Sequence, residues 1–151
     1  MSRFSRKSDF KFSVGPWNLH PGADPFGPPV RDERPLAEKL KLFKELGFDY
    51  VQFHDDDAVP DGATASERET AAKKIKSLLD DHGLTAEFVA PRLWEDARGI
   101  DGPITSNNAA NRRYALDLGK RAIDVGRLLG TQKMVWWPAR EGTYIRESKD
   151  A

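Results

Sequence analysis

Phe48-Asp49-Tyr50-Val51-Gln52-Phe53-His54-Asp55-Asp56-Asp57-Ala58-Val59-Pro60 is an apolar, β-prone run that ends abruptly in one histidine and three carboxylates. Aromatic and β-branched residues dominate Tyr50 to Phe53, and the run is too short and uncapped for a helix, so it reads as a strand. His54 to Asp57 then lie at its C-terminal end or just beyond. In parallel α/β sheets, open or closed, sites are built at that end. A carboxylate three residues from a histidine can accept a hydrogen bond from one ring nitrogen and fix the tautomer. The other nitrogen is then free to move a proton to or from a hydroxyl or a ring oxygen. On spacing alone, a solvated acidic loop after a strand is the competing reading.

Outward from this strand, the pattern alternates strand and helix. Phe10 to Val14 alternate apolar and polar, and Gly15-Pro16-Trp17 stops the run. A Pro/Gly-rich loop follows from Pro21 to Pro29, with Phe26 at its centre. Pro35 to Leu46 reads as a helix with Leu36, Leu40, Phe43 and Leu46 on one face and Gly47 at its C-terminal stop. Ser66-Glu67-Arg68-Glu69 reads as a capping box for a second helix that runs to about Asp81. His82, near the negative end of that helix, reads as structural. Leu84 to Ala90 is a third strand, with Arg92, Trp94, Glu95 and Asp96 in its loop. Asn107 or Asn108 caps a third helix to about Leu129, striped by Tyr114, Leu118, Ala122, Val125 and Leu129. Lys133 to Trp137 is a fourth strand.

The class is therefore α/β in the order β-α-β-α-β-α-β, as one domain over residues 1–151. Each unit implies a parallel strand pair. A small open parallel sheet and the first half of a (β/α)8 barrel both fit. In the half-barrel case Phe12, Val51, Phe53, Phe88, Val135 and Trp136 or Trp137 are candidates for the inward face.

Composition bounds the function. The chain has 24 basic and 24 acidic residues, a formal net charge of zero, and no cysteine. Nothing in that balance favours nucleic acid or an anionic membrane, and disulfides, thiolate nucleophiles and Cys-based zinc sites are excluded. No apolar run approaches membrane-spanning length and the basic start has no apolar stretch behind it, so a cytoplasmic protein is expected.

Several segments, in order, resemble the actinobacterial-type xylose (glucose) isomerases. Val51-Gln52-Phe53-His54-Asp55-Asp56-Asp57-Ala58-Val59-Pro60 looks like their F-H-D-x-D segment. Phe12-Ser13-Val14-Gly15-Pro16-Trp17 is similar to their first strand, and Asp24-Pro25-Phe26-Gly27 to their D-P-F-G loop. Asn111-Arg112-Arg113-Tyr114-Ala115 resembles the start of their third helix. Trp137 with Arg140-Glu141-Gly142 resembles W-x-x-R-E-G. The chain departs from them at Arg92-Leu93-Trp94, where the family has N-L-F, and at Pro16 and Pro138-Ala139.

The resemblance implies a (β/α)8 TIM-barrel type of fold, of which this chain carries the N-terminal half. It implies an aldose–ketose isomerase that converts D-xylose to D-xylulose by ring opening and a metal-assisted hydride shift. His54 and Asp57 would be the catalytic pair for ring opening. Trp17, Trp94 and Trp137 would wall the substrate pocket, and Phe26 would enter a neighbouring subunit of a homo-tetramer. Two divalent cations (Mg, Mn or Co) are implied, with ligands and a catalytic lysine on later strands, so no metal ligand is assigned within this chain. The chain alone is expected to be inactive. The competing reading is a non-catalytic half-barrel that binds a partner or only packs.

Overall fold

The computed structural model describes residues 10–22 and 29–138. Phe26 and the Arg140-Glu141-Gly142 segment lie outside the described residues. Among these residues the elements are β1 (Ser13–Val14), a 3-10 turn (Pro16–Asn18), α1 (Leu36–Glu45), β2 (Tyr50–His54), α2 (Asp55–Ala58), α3 (Ala65–Asp81), β3 (Thr85–Ala90), a 3-10 turn (Ala97–Gly99) and α4 (Ala109–Leu129). The strands form a parallel sheet in the order β1-β2-β3. This is the sheet-and-helix alternation expected of the first part of a (β/α) barrel.

The side chains of β2 divide by the two-residue period of a strand. Val51 and Phe53 are fully buried in a cluster with Leu40 and Phe43 of α1, Ala72 and Leu79 of α3, Val89 of β3, and Ala122, Val125 and Leu129 of α4. The helices therefore cover one face of the sheet. Tyr50, Gln52 and His54 project to the other. There Gln52 Nε2 donates to Ser13 Oγ at 2.5 Å and to Glu87 Oε2 at 3.2 Å, and Ser13 Oγ donates to the same carboxylate. Glu87 can reach across because the β2–β3 register slips here: Val51 pairs with Ala86 and Gln52 with Phe88, leaving Glu87 as the extra residue of a bulge. Val51 and Phe53 are thus on the helix side rather than the inward side.

Four other expectations change. The fourth strand reduces to one parallel bridge, Val89 with Met134, held by Val89 N–H to the Lys133 carbonyl and Val135 N–H to the Val89 carbonyl. Among the described residues the segment has a strand neighbour on one side only, and Pro138 has no N–H with which to continue a ladder. His54 to Asp57 are not a loop: Asp55–Ala58 form one helical turn, α2, because the Asp57 carboxylate accepts the His54 backbone N–H at 2.8 Å. The N-cap of α3 is Thr64 rather than Ser66. Its hydroxyl accepts from Glu67 N–H, and Glu67 accepts from Thr64 N–H in return. Leu46 is exposed, since α1 ends at Glu45 and Leu46 turns outward as its cap. The stripe on α4 is as expected: Leu118, Ala122, Val125 and Leu129 are buried, and Asn108 caps the helix through Ala110 N–H.

Candidate active site

His54 is the last residue of β2 and is only 5% exposed. Its ring lies between two indoles: Trp17 at 4.4 Å between ring centroids and Trp94 edge-on at 5.0 Å. Trp137 continues the row, 5.3 Å from Trp94. Segments that follow β1 and β3 thus converge on one imidazole, and the third tryptophan reaches it only through Trp94. Trp17 reaches it by folding back across Gly15: a Cβ there would overlap the indole. Only a glycine permits that approach.

Asp57, one turn along, completes the constellation. Its Oδ2 lies 3.2 Å from His54 Nδ1, an electrostatic contact that lacks the alignment of a hydrogen bond, and accepts the His54 backbone N–H. Burial pushes the Asp57 carboxyl up, but the contacts to His54 and the charge of Arg92 outweigh it, and its pKa lies below the ordinary carboxylate value. Asp57 is therefore ionised at neutral pH and can only accept. The structure brings His54, Asp57, Trp17, Trp94 and Trp137 together, while Phe26 lies outside the described residues.

Sequence reading missed the arginines that hold this acidic turn. Arg92 Nε donates to both oxygens of Asp56 at 2.8 and 2.7 Å, Nη2 to Asp57 Oδ1 at 2.8 Å, and Nη1 to Glu95 at 3.0 Å. Its backbone N–H donates to Asp55 Oδ1 at 2.9 Å. Asp55, with no exposed surface, also accepts from Arg121 Nε at 2.7 Å, and Arg121 Nη1 reaches Asp61 at 2.6 Å. Burial pushes the Asp55 carboxyl up against these donors. Arg92 stood in plain view in the loop after β3. Arg121 lies 66 positions from Asp55, with no local signal to join them.

His54, Asp56 and Asp57 carry ligand-type atoms within 4.8 Å of one another. Both carboxylates already accept from Arg92, so a divalent cation at this cluster would compete with the guanidinium for them. No helix of the described residues is long and apolar enough to cross a membrane.

Residues 40–150 match the family described as "Xylose isomerase-like TIM barrel". The chain belongs to this family. Within the xylose isomerase-like family it is similar to the xylose isomerase of Thermus thermophilus, with 33% identity over 149 residues, covering 98% of this chain and 38% of that protein. It therefore spans well under half the length of this relative. Among solved structures it is similar to an AP endonuclease, family 2, from Brucella melitensis, at 22% identity and a TM-score of 0.48, covering 78% of this chain and 40% of that one.

Proposed function

We propose that this chain carries the ring-opening part of an aldose–ketose isomerase site, for D-xylose and related aldoses, within a protein that supplies the remaining barrel strands. The observation that supports it is the buried His54 at the C-terminal end of β2, sandwiched by Trp17 and Trp94 with ionised Asp57 at Nδ1. An ionised carboxylate at Nδ1 favours the tautomer that bears its proton there. Nε2 is then the base. It takes the proton of the anomeric hydroxyl as the bond between C1 and the ring oxygen breaks, and the imidazolium returns that proton to the ring oxygen. Asp57 stabilises the transient imidazolium. Trp17, Trp94 and Trp137 offer apolar faces to the carbon side of the sugar and exclude water.

This reading assigns the ligands of the two divalent cations of the hydride shift to the remaining strands, so this chain's own part ends at the open-chain sugar. In the complete protein, the reading places Phe26 in a neighbour's pocket within a homo-tetramer, in the cytoplasm. The 151-residue chain alone is inactive on this reading. The test is His54→Asn in a protein that includes the remaining strands. Use of cyclic xylose should fall roughly 10²–10⁴-fold, the usual worth of a general acid–base group, with a much smaller loss on an acyclic analogue. Equal losses on both would refute the assignment.

A further inference from the structure

We infer that Arg92 is a positioning residue for the His54–Asp57 pair: its planar guanidinium fixes the rotation of the Asp57 carboxylate and so the tautomer of His54. The inference builds on the reading of His54 as the proton-transfer group, but its geometry stands independently of any sugar. Asp57 Oδ1 is taken by Arg92 Nη2 at 2.8 Å, and Oδ2 accepts the His54 backbone N–H at 2.8 Å and faces the ring, so the guanidinium holds the carboxylate from the far side. The guanidinium cannot swivel to release it. Nε is held by both oxygens of Asp56, Nη1 by Glu95, and the backbone N–H by Asp55.

The arginine is itself largely enclosed, with 18% of its side chain exposed and its guanidinium carbon 5.8 Å from the Trp94 ring centroid. The loop after β3 thereby sets the acidic turn after β2. A lysine could not do the same, since one ammonium has no fixed fork to span Asp56 and Asp57. The departure from the asparagine that the resembled isomerases carry before their aromatic residue thus has a structural use: Arg92 and Trp94 act on His54 from the same loop, one through Asp57 and one by ring contact.

The test is solid-state 15N NMR of the full 151-residue chain labelled at histidine, which is insensitive to the size of any assembly. The chain has three histidines, so His54→Asn assigns the His54 resonances by their loss. Wild type should show a single His54 pattern with Nδ1 protonated. In Arg92→Gln, with circular dichroism unchanged, the population outside that pattern should rise at least about threefold as the carboxylate rotates. Arg92→Lys should restore the pattern only in part, and Glu95→Gln, which removes just the most exposed partner, should leave it intact. Unchanged His54 shifts in folded Arg92→Gln would overturn the inference. If that variant does not fold, a wild-type pattern in Arg92→Lys would overturn it equally. Loss of the cyclic-versus-acyclic difference in His54→Asn, with these NMR changes present, would instead refute the sugar assignment and leave the role of Arg92 standing.

Discussion

Asp55→Ala should cost the fold about 3–4 kcal/mol. The carboxylate is fully buried and is the shared acceptor for two groups from distant segments, the Arg121 guanidinium and the Arg92 backbone N–H. A hydrogen bond to a charged group contributes about 1.5–3 kcal/mol, and an orphaned buried N–H adds about 1 kcal/mol or more. Removing one partner of a buried pair typically costs about 3–5 kcal/mol. Asp61 remains as a second partner for Arg121, so the guanidinium is not stranded and the lower part of that range applies.

Asp55→Asn keeps one acceptor but turns an amide donor toward the other donor, and about 2 kcal/mol is expected. Arg121→Met should also cost about 2 kcal/mol, because a carboxyl whose pKa is already raised can escape by taking a proton. The double variant should then lose at least about 1.5 kcal/mol less than the sum of its singles. Urea unfolding followed by tryptophan fluorescence, at two protein concentrations, measures all four species. A cost below about 1 kcal/mol for Asp55→Ala, or strict additivity in the cycle, would show that the pair does not join α2 to α4 as argued.

Gly15→Ala should push the Trp17 indole off His54, since the new methyl would overlap the ring; altered tryptophan fluorescence at unchanged circular dichroism is the signature. Gly119→Ala should destabilise despite a better helix propensity, because its Cβ would run into the Trp136 ring; a raised melting temperature would count against that packing. The Asp57 pKa is lowered on folding, so its ionisation stabilises the fold above the unfolded value of 3.8, and that contribution vanishes as pH falls through the folded midpoint. Wild type and Asp57→Asn should therefore differ in stability at neutral pH and converge in acid, as read by thermal melts. The 151-residue chain on its own should associate at micromolar concentration; a monodisperse 17.0 kDa species in sedimentation would contradict this.

Strand and helix were legible wherever a local period was strong. The α4 stripe and its Asn108 cap, the strand Tyr50 to Phe53 and the run to Ala90 needed no tertiary information. The errors occurred where two local signals competed or where tertiary pairing decided. Thr64 and Ser66 both offer a capping box with a glutamate three residues on, and the helix takes the first. The β propensity of Met134 to Trp137 promised a strand, but a ladder needs neighbours as well as propensity. At the site, the strand-end position of His54 was readable from the run before it, while the tryptophans entered only through the resemblance to the isomerases. The Arg92 and Arg121 partnerships were not readable, because charge pairing across the fold leaves no spacing rule.

The placement of Val51 and Phe53 changes the physical account of the open sheet. Sequence pattern alone allowed them to face inward, where their exposure in an incomplete barrel would forfeit a large share of the core. They instead lie under α1, α3 and α4, fully buried without any further strand. The opposite face meets its own polar needs through Ser13, Gln52 and Glu87, which hydrogen-bond to one another across all three strands. Along the described strand positions, what is left open is narrower: the outer backbone edge of β1, the segment at Met134 and Val135, and exposed Phe12 and Trp137. Each fully buried large apolar side chain is worth about 1.5–3 kcal/mol, so these few drive association far less than six inward residues would. The stronger drive is the unpaired strand edge, which adds to another strand without requiring any particular side chain. Edge pairing is therefore the expected route of association for this chain, while the layer that carries His54 keeps its geometry from within the half-barrel itself.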